Sequence, residues 1–101
     1  MGLANCLSAY EAGIRIFDTA VGGLSGTPYG APTMEVGCWN VPTEDLVYMF
    51  NQIGVNTGID IDAIAESVKL AQKIAGRELP GHLLKARKAF VPSNFSNILA
   101  L

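Results

Sequence analysis

Residues 14–45 read IRIFDTAVGGLSGTPYGAPTMEVGCWNVPTED and contain three kinds of segment in succession. The first, residues 14–20, is a short apolar run typical of a buried strand. The middle part is rich in glycine and proline, which favours a loop. The last part opens a helix, with Glu44 and Asp45 placed favourably for the helix dipole. This order predicts an α/β fold whose chemistry lies in the loop at the carboxyl end of the strand.

The composition limits the class of protein. The sequence has 101 residues, is 50% hydrophobic and carries a net charge of −2, which fits one globular domain at most and shows no bias toward nucleic acid or an anionic membrane. No apolar run has the length of a membrane span. Two cysteines, Cys6 and Cys38, are too few for a disulfide framework. We therefore expect a cytoplasmic protein, or one of the mitochondrial matrix if the source is eukaryotic.

Apolar residues at helical spacing predict four helices around this loop. They cover residues 3–12, 44–53, 61–75 and about 82–90, and glycines end the first three. Thr43 is the expected N-cap of the second helix, and Asp60 or Asp62 that of the third. One strand among four helices leaves backbone groups unpaired on both of its edges, which is costly when the strand is buried. We therefore expect the remaining strands of the sheet to lie outside this sequence.

Two motifs carry a resemblance to a known family. FDTAVGGLSGTPYG (17–30), followed by NVPTEDLVYMF (40–50), resembles 3-hydroxy-3-methylglutaryl-CoA lyases, which belong to the metal-dependent, pyruvate-carboxyltransferase-like TIM-barrel lyases and aldolases. The flanking GLANCLSAYEAGI, TGIDIDAI and GRELPG look like helices of the same family, so the resemblance covers most of the chain.

The resemblance implies that the chain is the C-terminal part of a TIM (β/α)8 barrel and mostly helical by itself. Residues 3–12 would end the seventh helix, 14–20 would be strand eight, and 44–53 helix eight. The implied organisation is a partial barrel domain over 1–101, with the end of the barrel at 1–54, its active-site loop at 22–42, and a C-terminal helical extension at 55–101.

The resemblance also implies roles for individual residues. By position, Asn40 matches the asparagine that joins an aspartate and two histidines in binding a divalent cation, here expected to be Mg²⁺ or Mn²⁺. Glu44 matches an acid beside the site and is a candidate catalytic residue. Without the resemblance, Asn40 is a turn residue and Glu44 an acid that favours the helix dipole. The glycines of the loop lack the spacing of a dinucleotide fingerprint, so no nucleotide-binding residues are predicted.

The glycine loop departs from the family at one position. Where the family has a reactive cysteine in Gly-Gly-Cys-Pro-Tyr, this sequence has Thr27, and the loop up to Asn40 is a few residues longer. A hydroxyl is a far weaker acid than a thiol, so Thr27 cannot shuttle a proton in the same way. Because of its position in the motif, Thr27 is a candidate catalytic residue. Its replacement of the cysteine indicates a changed substrate. Cys38 is either an incidental loop cysteine or a thiol supplied from the longer segment.

Three functions stay open from the sequence. The first is the C-terminal part of a divalent-metal-dependent carbon–carbon lyase that cleaves a 3-hydroxy acyl-CoA to acetyl-CoA and a keto acid. The second is a related lyase or aldolase with another CoA-ester or hydroxy-acid substrate. The third is a small, non-enzymatic helical interaction domain.

The three functions predict different behaviour. As a lyase, the protein would bind its acyl-CoA or hydroxy-acid substrate and form a homodimer at full length, whereas the 101 residues alone would be inactive and molten or aggregating. As an interaction domain, they would melt cooperatively. His82 and the basic residues Lys85, Arg87 and Lys88 are expected to form a solvated face.

Overall fold

The computed structural model describes residues 1–24 and 40–89. These ranges contain four α-helices and a 3₁₀ turn at Val21–Gly23. The helices are α1 (Gly2–Glu11), α2 (Thr43–Gln52), α3 (Ile61–Ala75) and α4 (Leu83–Ala89). The four predicted helices are confirmed, with ends that agree to within one or two residues. In this part of the chain no helix is both long and apolar enough to cross a membrane.

Local capping explains where α3 begins and ends. The carboxylate of Asp60 accepts hydrogen bonds from the backbone N–H groups of Asp62 and Ala63, at 2.9 and 3.3 Å. Gly76 then ends the helix with a φ of 72°, in the left-handed conformation that glycine adopts without strain. Of the two caps that the sequence left open, the structure therefore selects Asp60.

Helix α2 begins differently from the prediction. Pro42, not Thr43, occupies the N-cap position, and no side chain there accepts a capping hydrogen bond. The Thr43 hydroxyl lies instead 2.8 Å from the hydroxyl of Thr19. This hydrogen bond connects the segment before the 3₁₀ turn to the first residue of α2. Thr43 therefore links two elements and does not cap the helix.

Residues 14–20 do not form the predicted strand in the described part of the chain. They make one parallel bridge, between Ala20 and Pro42, in which Ala20 N–H donates to Val41 O at 3.1 Å and Thr43 N–H donates to Ala20 O at 2.9 Å. A ladder needs a second extended segment along its length, and the described ranges contain no other strand. Exposed and half-buried side chains still alternate over residues 16–19, where Ile16 is 91% exposed and Phe17 is half-buried.

The hydrophobic core lies among α2, α3 and α4. Its buried apolar side chains are Leu46, Val47, Phe50, Ala65, Val68, Leu79, Leu83 and Leu84. The rings of Tyr10 and Phe17 pack on Phe50 with centroid distances of 5.2 and 5.4 Å, which attaches α1 and residues 14–20 to the same core. This packing places the first turn of α2 between the 3₁₀ turn and the segment that precedes α4.

Candidate active site

Two adjacent acids in the first turn of α2 are buried. Glu44 is 1% exposed and Asp45 is 6% exposed. Burying a carboxylate costs free energy unless hydrogen bonds replace those that water made. Both residues have such bonds, and in the described part of the chain no buried side-chain N or O atom lacks a partner. The pair is therefore fully built into the fold, a burial that the sequence analysis did not predict for either acid.

Glu44 is enclosed by two glycines. The backbone N–H of Gly22 donates to Oε1 of Glu44 at 2.9 Å. Gly22 has a φ of 66°, and a Cβ built on it would lie 3.1 Å from Cβ of Leu79, so any larger residue would meet both backbone strain and a clash. Gly81 packs directly on the carboxyl group, where an added Cβ would lie 3.0 Å from Cδ of Glu44. The absence of side chains at both positions lets the backbone surround this carboxyl.

The surroundings of Glu44 raise its pKa above the usual value of 4.5. The main cause is burial, which disfavours the charged form of the carboxyl group, and the neighbouring charge of Asp45 acts in the same direction. Hydrogen bonds from the backbone N–H groups of Gly22 and of Glu44 itself act against the rise. The surroundings of Glu44 therefore favour its neutral form more than water does, and its role as a catalytic residue stays a prediction.

Asp45 caps a helix that lies far along the chain. The backbone N–H of His82 donates to both of its carboxylate oxygens, at 2.9 and 3.0 Å, and that of Leu83 donates to Oδ1 at 3.0 Å. The His82 ring adds a fourth contact, between Nδ1 and Oδ2 at 3.0 Å. These bonds satisfy N–H groups at the start of α4 that have no partner within the helix. The Asp45 side chain thus caps the start of α4, although 37 residues separate it from His82 in the sequence.

The sequence analysis missed this role of Asp45, although a signal was present. The residues before α4 are Pro80, Gly81 and His82, and none is a serine, threonine, aspartate or asparagine. A short helix without a local cap residue needs an acceptor from elsewhere. His82 is exposed, as predicted, with 84% of its side chain accessible, but the prediction of a merely solvated residue omits its bond to Asp45.

Asn40 lies at the other end of the loop that begins at the 3₁₀ turn. Its Nδ2 group donates to the backbone carbonyl of Leu24 at 3.0 Å, which fixes the plane of the exposed amide. Oδ1 is the remaining acceptor of this side chain and is the kind of oxygen that Mg²⁺ or Mn²⁺ binds. Within residues 1–24 and 40–89 no group of three His, Cys, Asp or Glu side chains can hold a metal ion. The role of Asn40 as a ligand of a divalent cation stays a prediction.

Thr27 and Cys38 lie outside the described residues, as does most of the predicted active-site loop at 22–42. Their roles stay predictions. The two residues that flank this segment, Leu24 and Asn40, are joined by a hydrogen bond. Leu24 and Asn40 therefore lie together, beside the turn whose Gly22 donates its N–H to Glu44.

No protein-family model matches the chain. It is 45% identical over 85 residues to (R)-citramalyl-CoA lyase of Chloroflexus aurantiacus. This alignment covers 84% of this chain and 26% of that protein. It is 38% identical over 92 residues to hydroxymethylglutaryl-CoA lyase of Pseudomonas mevalonii, covering 88% and 29%. The cytoplasmic 3-hydroxy-3-methylglutaryl-CoA lyase of Rattus norvegicus is 46% identical over 65 residues, covering 64% and 18%. The chain spans less than a third of the length of these relatives.

The fold is similar to part of a solved structure. The crystal structure of HMG-CoA lyase from Bacillus subtilis matches with a TM-score of 0.73 and 36% sequence identity, over 86% of this chain and 28% of that one. Sequence and structure therefore agree on the relatives and on the share of each chain that is related. From both comparisons, the chain belongs to the hydroxymethylglutaryl-CoA lyase family and corresponds to a part of that family's longer proteins.

Proposed function

We propose that this chain is the C-terminal part of a divalent-metal-dependent carbon–carbon lyase that cleaves a 3-hydroxy acyl-CoA to acetyl-CoA and a keto acid. The observation that carries the proposal is the match to the Bacillus subtilis HMG-CoA lyase, at 36% identity and a TM-score of 0.73. The relatives named above are lyases of hydroxymethylglutaryl-CoA and of (R)-citramalyl-CoA, both of which are CoA esters.

The proposal gives each element a place in a TIM barrel. Residues 14–20 form the eighth strand, α1 ends the seventh helix and α2 is the eighth helix. The parallel bridge between Ala20 and Pro42 and the alternating exposure of Ile16 and Phe17 support a strand at this position. Asn40 and Glu44 then lie after the carboxyl end of that strand, where TIM barrels hold their active sites.

The reaction needs both a base and an acid. The C3 hydroxyl loses its proton, the C2–C3 bond breaks as a carbonyl forms at C3, and C2 takes up a proton to give acetyl-CoA. Glu44, enclosed and with a raised pKa, is suited to accept or return a proton at this site. Asn40 would contribute its Oδ1 atom to the binding of a divalent cation. When bound, this ion polarises the substrate oxygens.

The experiment that tests the proposal uses the full-length protein with Mg²⁺ or Mn²⁺. We expect the wild type to release acetyl-CoA from hydroxymethylglutaryl-CoA or from citramalyl-CoA, and chelation of the metal to abolish the reaction. Asn40→Ala should weaken metal binding by at least about tenfold, the lower limit for residues that support a metal. Lys69→Ala, which removes an exposed pair with Glu66 on α3, is the control. Failure to cleave either ester with either metal would contradict the proposal.

A lyase with another CoA-ester or hydroxy-acid substrate is the second candidate. Thr27, where the family has a cysteine, and the 45% identity to a citramalyl-CoA lyase favour it. If Thr27 selects the substrate, Thr27→Ala should change the ratio of kcat/KM between the two esters. Robust cleavage of hydroxymethylglutaryl-CoA that Thr27→Ala leaves unaltered would show that Thr27 has no special role.

The proposal also includes the cellular compartment and the oligomeric state. Relatives carry "cytoplasmic" or "mitochondrial" in their names, and we propose one of these two compartments for this protein. A homodimer of the full-length protein is part of the same proposal. Compared with a small helical interaction domain, the lyase is the better supported function because the similarity extends over more than four-fifths of the chain.

A further inference from the structure

The buried carboxylate of Asp45 holds an exposed imidazole ring in one orientation. Its oxygens accept the backbone N–H of His82, and Oδ2 also lies 3.0 Å from Nδ1 of the ring. The main chain and the side chain of His82 are therefore fixed by the same group. The ring nevertheless stays open to solvent, since 84% of this side chain is exposed.

This geometry determines which ring nitrogen carries the hydrogen. A carboxylate accepts hydrogen bonds and donates none, so Nδ1 of His82 must be the donor to Asp45. In the neutral ring Nε2 then keeps its lone pair, and it lies on the side of the ring away from Nδ1. A carboxylate on Nδ1 and a free Nε2 together prepare an imidazole to take up and release protons.

His82 lies at the end of α2 that carries the candidate active site. Its neighbour Gly81 packs on the carboxyl group of Glu44, and Leu79 packs on Gly22, which donates its N–H to Glu44. Residues 79–82 therefore lie against the 3₁₀ turn that leads directly to Leu24. The carbonyl oxygen of Leu24 accepts a hydrogen bond from the side chain of Asn40.

We propose that His82, oriented by Asp45, is a further acid–base residue of the reaction and supplies the proton that C2 takes up. The inference rests on the proposed function. As the C2–C3 bond breaks, its electron pair passes to C2 and forms the new C–H bond with the proton of Nε2. The ring is left neutral, with its hydrogen on Nδ1, and regains a proton from water. Thr27 stands where the family has a thiol, and its hydroxyl is a much weaker acid than that thiol.

Charged groups of both signs belong to the elements near His82, and each can affect the pH dependence of the reaction. They are Glu44 and Asp45 of α2, Lys85 and Arg87 of α4, and Asp62 of α3, which pairs with Arg87 at 2.8 Å. The two carboxyl groups of α2 are in contact with residues 81–83. Variants of His82 therefore have to be compared at several pH values and not at one.

The test measures the full-length enzyme with the ester that the wild type cleaves. His82→Asn keeps an N–H group on an atom bonded to Cγ, as Nδ1 is, so the bond to Asp45 can persist while the proton-carrying nitrogen is lost. We expect kcat to fall about 10²–10⁴-fold, the usual contribution of an acid–base group. KM and metal affinity should stay unchanged, and the pH dependence of kcat should change. In His82→Ala, added imidazole should restore part of the rate, because the position is open to solvent.

Each other outcome overturns the inference in a recognisable way. Wild-type kcat and pH profile in His82→Asn would overturn the role of His82 and leave the proposed function intact. A lower melting temperature in His82→Asn, together with no rescue of His82→Ala by imidazole, would show that the residue acts only through the fold. A wild-type enzyme without lyase activity would overturn the proposed function, and this inference with it. Lys69→Ala serves again as the control for surface substitution.

Discussion

Glu44 and Asp45 are adjacent in the sequence, yet their side chains have different hydrogen-bond partners. Successive residues of a helix point about 100° apart, so two adjacent acids meet different neighbours. Glu44 faces the 3₁₀ turn and is bonded by Gly22, whereas Asp45 faces the start of α4 and is bonded by His82 and Leu83. One acid thereby accepts a hydrogen bond from the 3₁₀ turn, and the other joins two helices.

The raised pKa of Glu44 predicts a pH-dependent cost to stability. An acid whose pKa is higher in the folded than in the unfolded state binds more protons when folded, so stability falls as the pH rises from the unfolded pKa through the folded one. Glu44→Gln removes this titration and keeps an acceptor for Gly22. We expect the free energy of unfolding of the wild type, relative to Glu44→Gln, to decrease from about pH 4.5 upward.

Urea unfolding of the full-length protein at several pH values measures this difference. Glu66→Gln is the control for the loss of one carboxyl group, since Glu66 is on the exposed face of α3 with 73% of its side chain accessible. Parallel pH profiles for wild type and Glu44→Gln would contradict the prediction.

The sequence indicated Glu44 and Asn40 as site residues only through a resemblance. Nothing near Glu44 in the sequence announces its burial, because the residues that enclose it, Gly22 and Gly81, are 22 and 37 positions away. Asp45 and His82 were missed as a pair for the same reason. Contacts between distant residues follow from packing, which local sequence patterns do not encode.

Among the elements, α4 depends most on its surroundings. It has seven residues, a length at which an isolated helix is unstable in water. Two features hold it: the carboxylate of Asp45 at its start and the buried side chains of Leu83 and Leu84. Helix α3, by contrast, has 15 residues and its own cap, Asp60.

Replacing Asp45 or Asp60, the two capping residues, by alanine should lower the free energy of unfolding by different amounts. Asp45→Ala leaves buried N–H groups of α4 without their charged acceptor, which should cost about 2–3 kcal/mol. Asp60→Ala removes an exposed local cap and should cost about 1 kcal/mol. Urea unfolding gives both values, and hydrogen exchange should show lost protection in α4 but not in α3 for Asp45→Ala. An equal or smaller cost for Asp45→Ala than for Asp60→Ala would be evidence against the long-range cap.

Local signals account for what could be predicted about the elements. Helix ends were found to within one or two residues because glycines, Asp60 and apolar periodicity act within a turn or two. The strand at residues 14–20 depends on pairing with other strands, and the described ranges offer one bridge at Pro42. The predicted division at residue 54 stays a prediction, although α2 on one side of it contacts α3 and α4 on the other.

At the scale of the whole molecule, the described part of the chain exposes several large apolar side chains, among them two pairs. Ile14 and Ile16 are 51% and 91% exposed, beside a backbone that has one bridge. Leu70 and Ile74 are 59% and 79% exposed on α3. In the proposed barrel the first pair lies on strand eight and is covered by neighbouring strands, so exposure at these residues belongs to the isolated chain.

This exposure predicts the behaviour of residues 1–101 by themselves. We expect a molten or aggregating state that binds hydrophobic dyes and unfolds without a cooperative transition. Ile16→Glu should reduce aggregation of the isolated chain and leave its helix content unaltered, while lowering activity in the full-length enzyme. Calorimetry, dye binding and circular dichroism test this. A sharp, cooperative melt of residues 1–101 would favour the helical interaction domain.

The long-range cap on α4 has a consequence for cutting the chain. Residues 55–59 join the two sides of this contact, so a break there leaves an acidic acceptor on one piece and its N–H donors on the other. Each piece alone would place its polar groups in water, and only the matched pair restores the four hydrogen bonds. The hydrogen bonds that start this short helix would thus also favour the association of two pieces cut between residues 55 and 59.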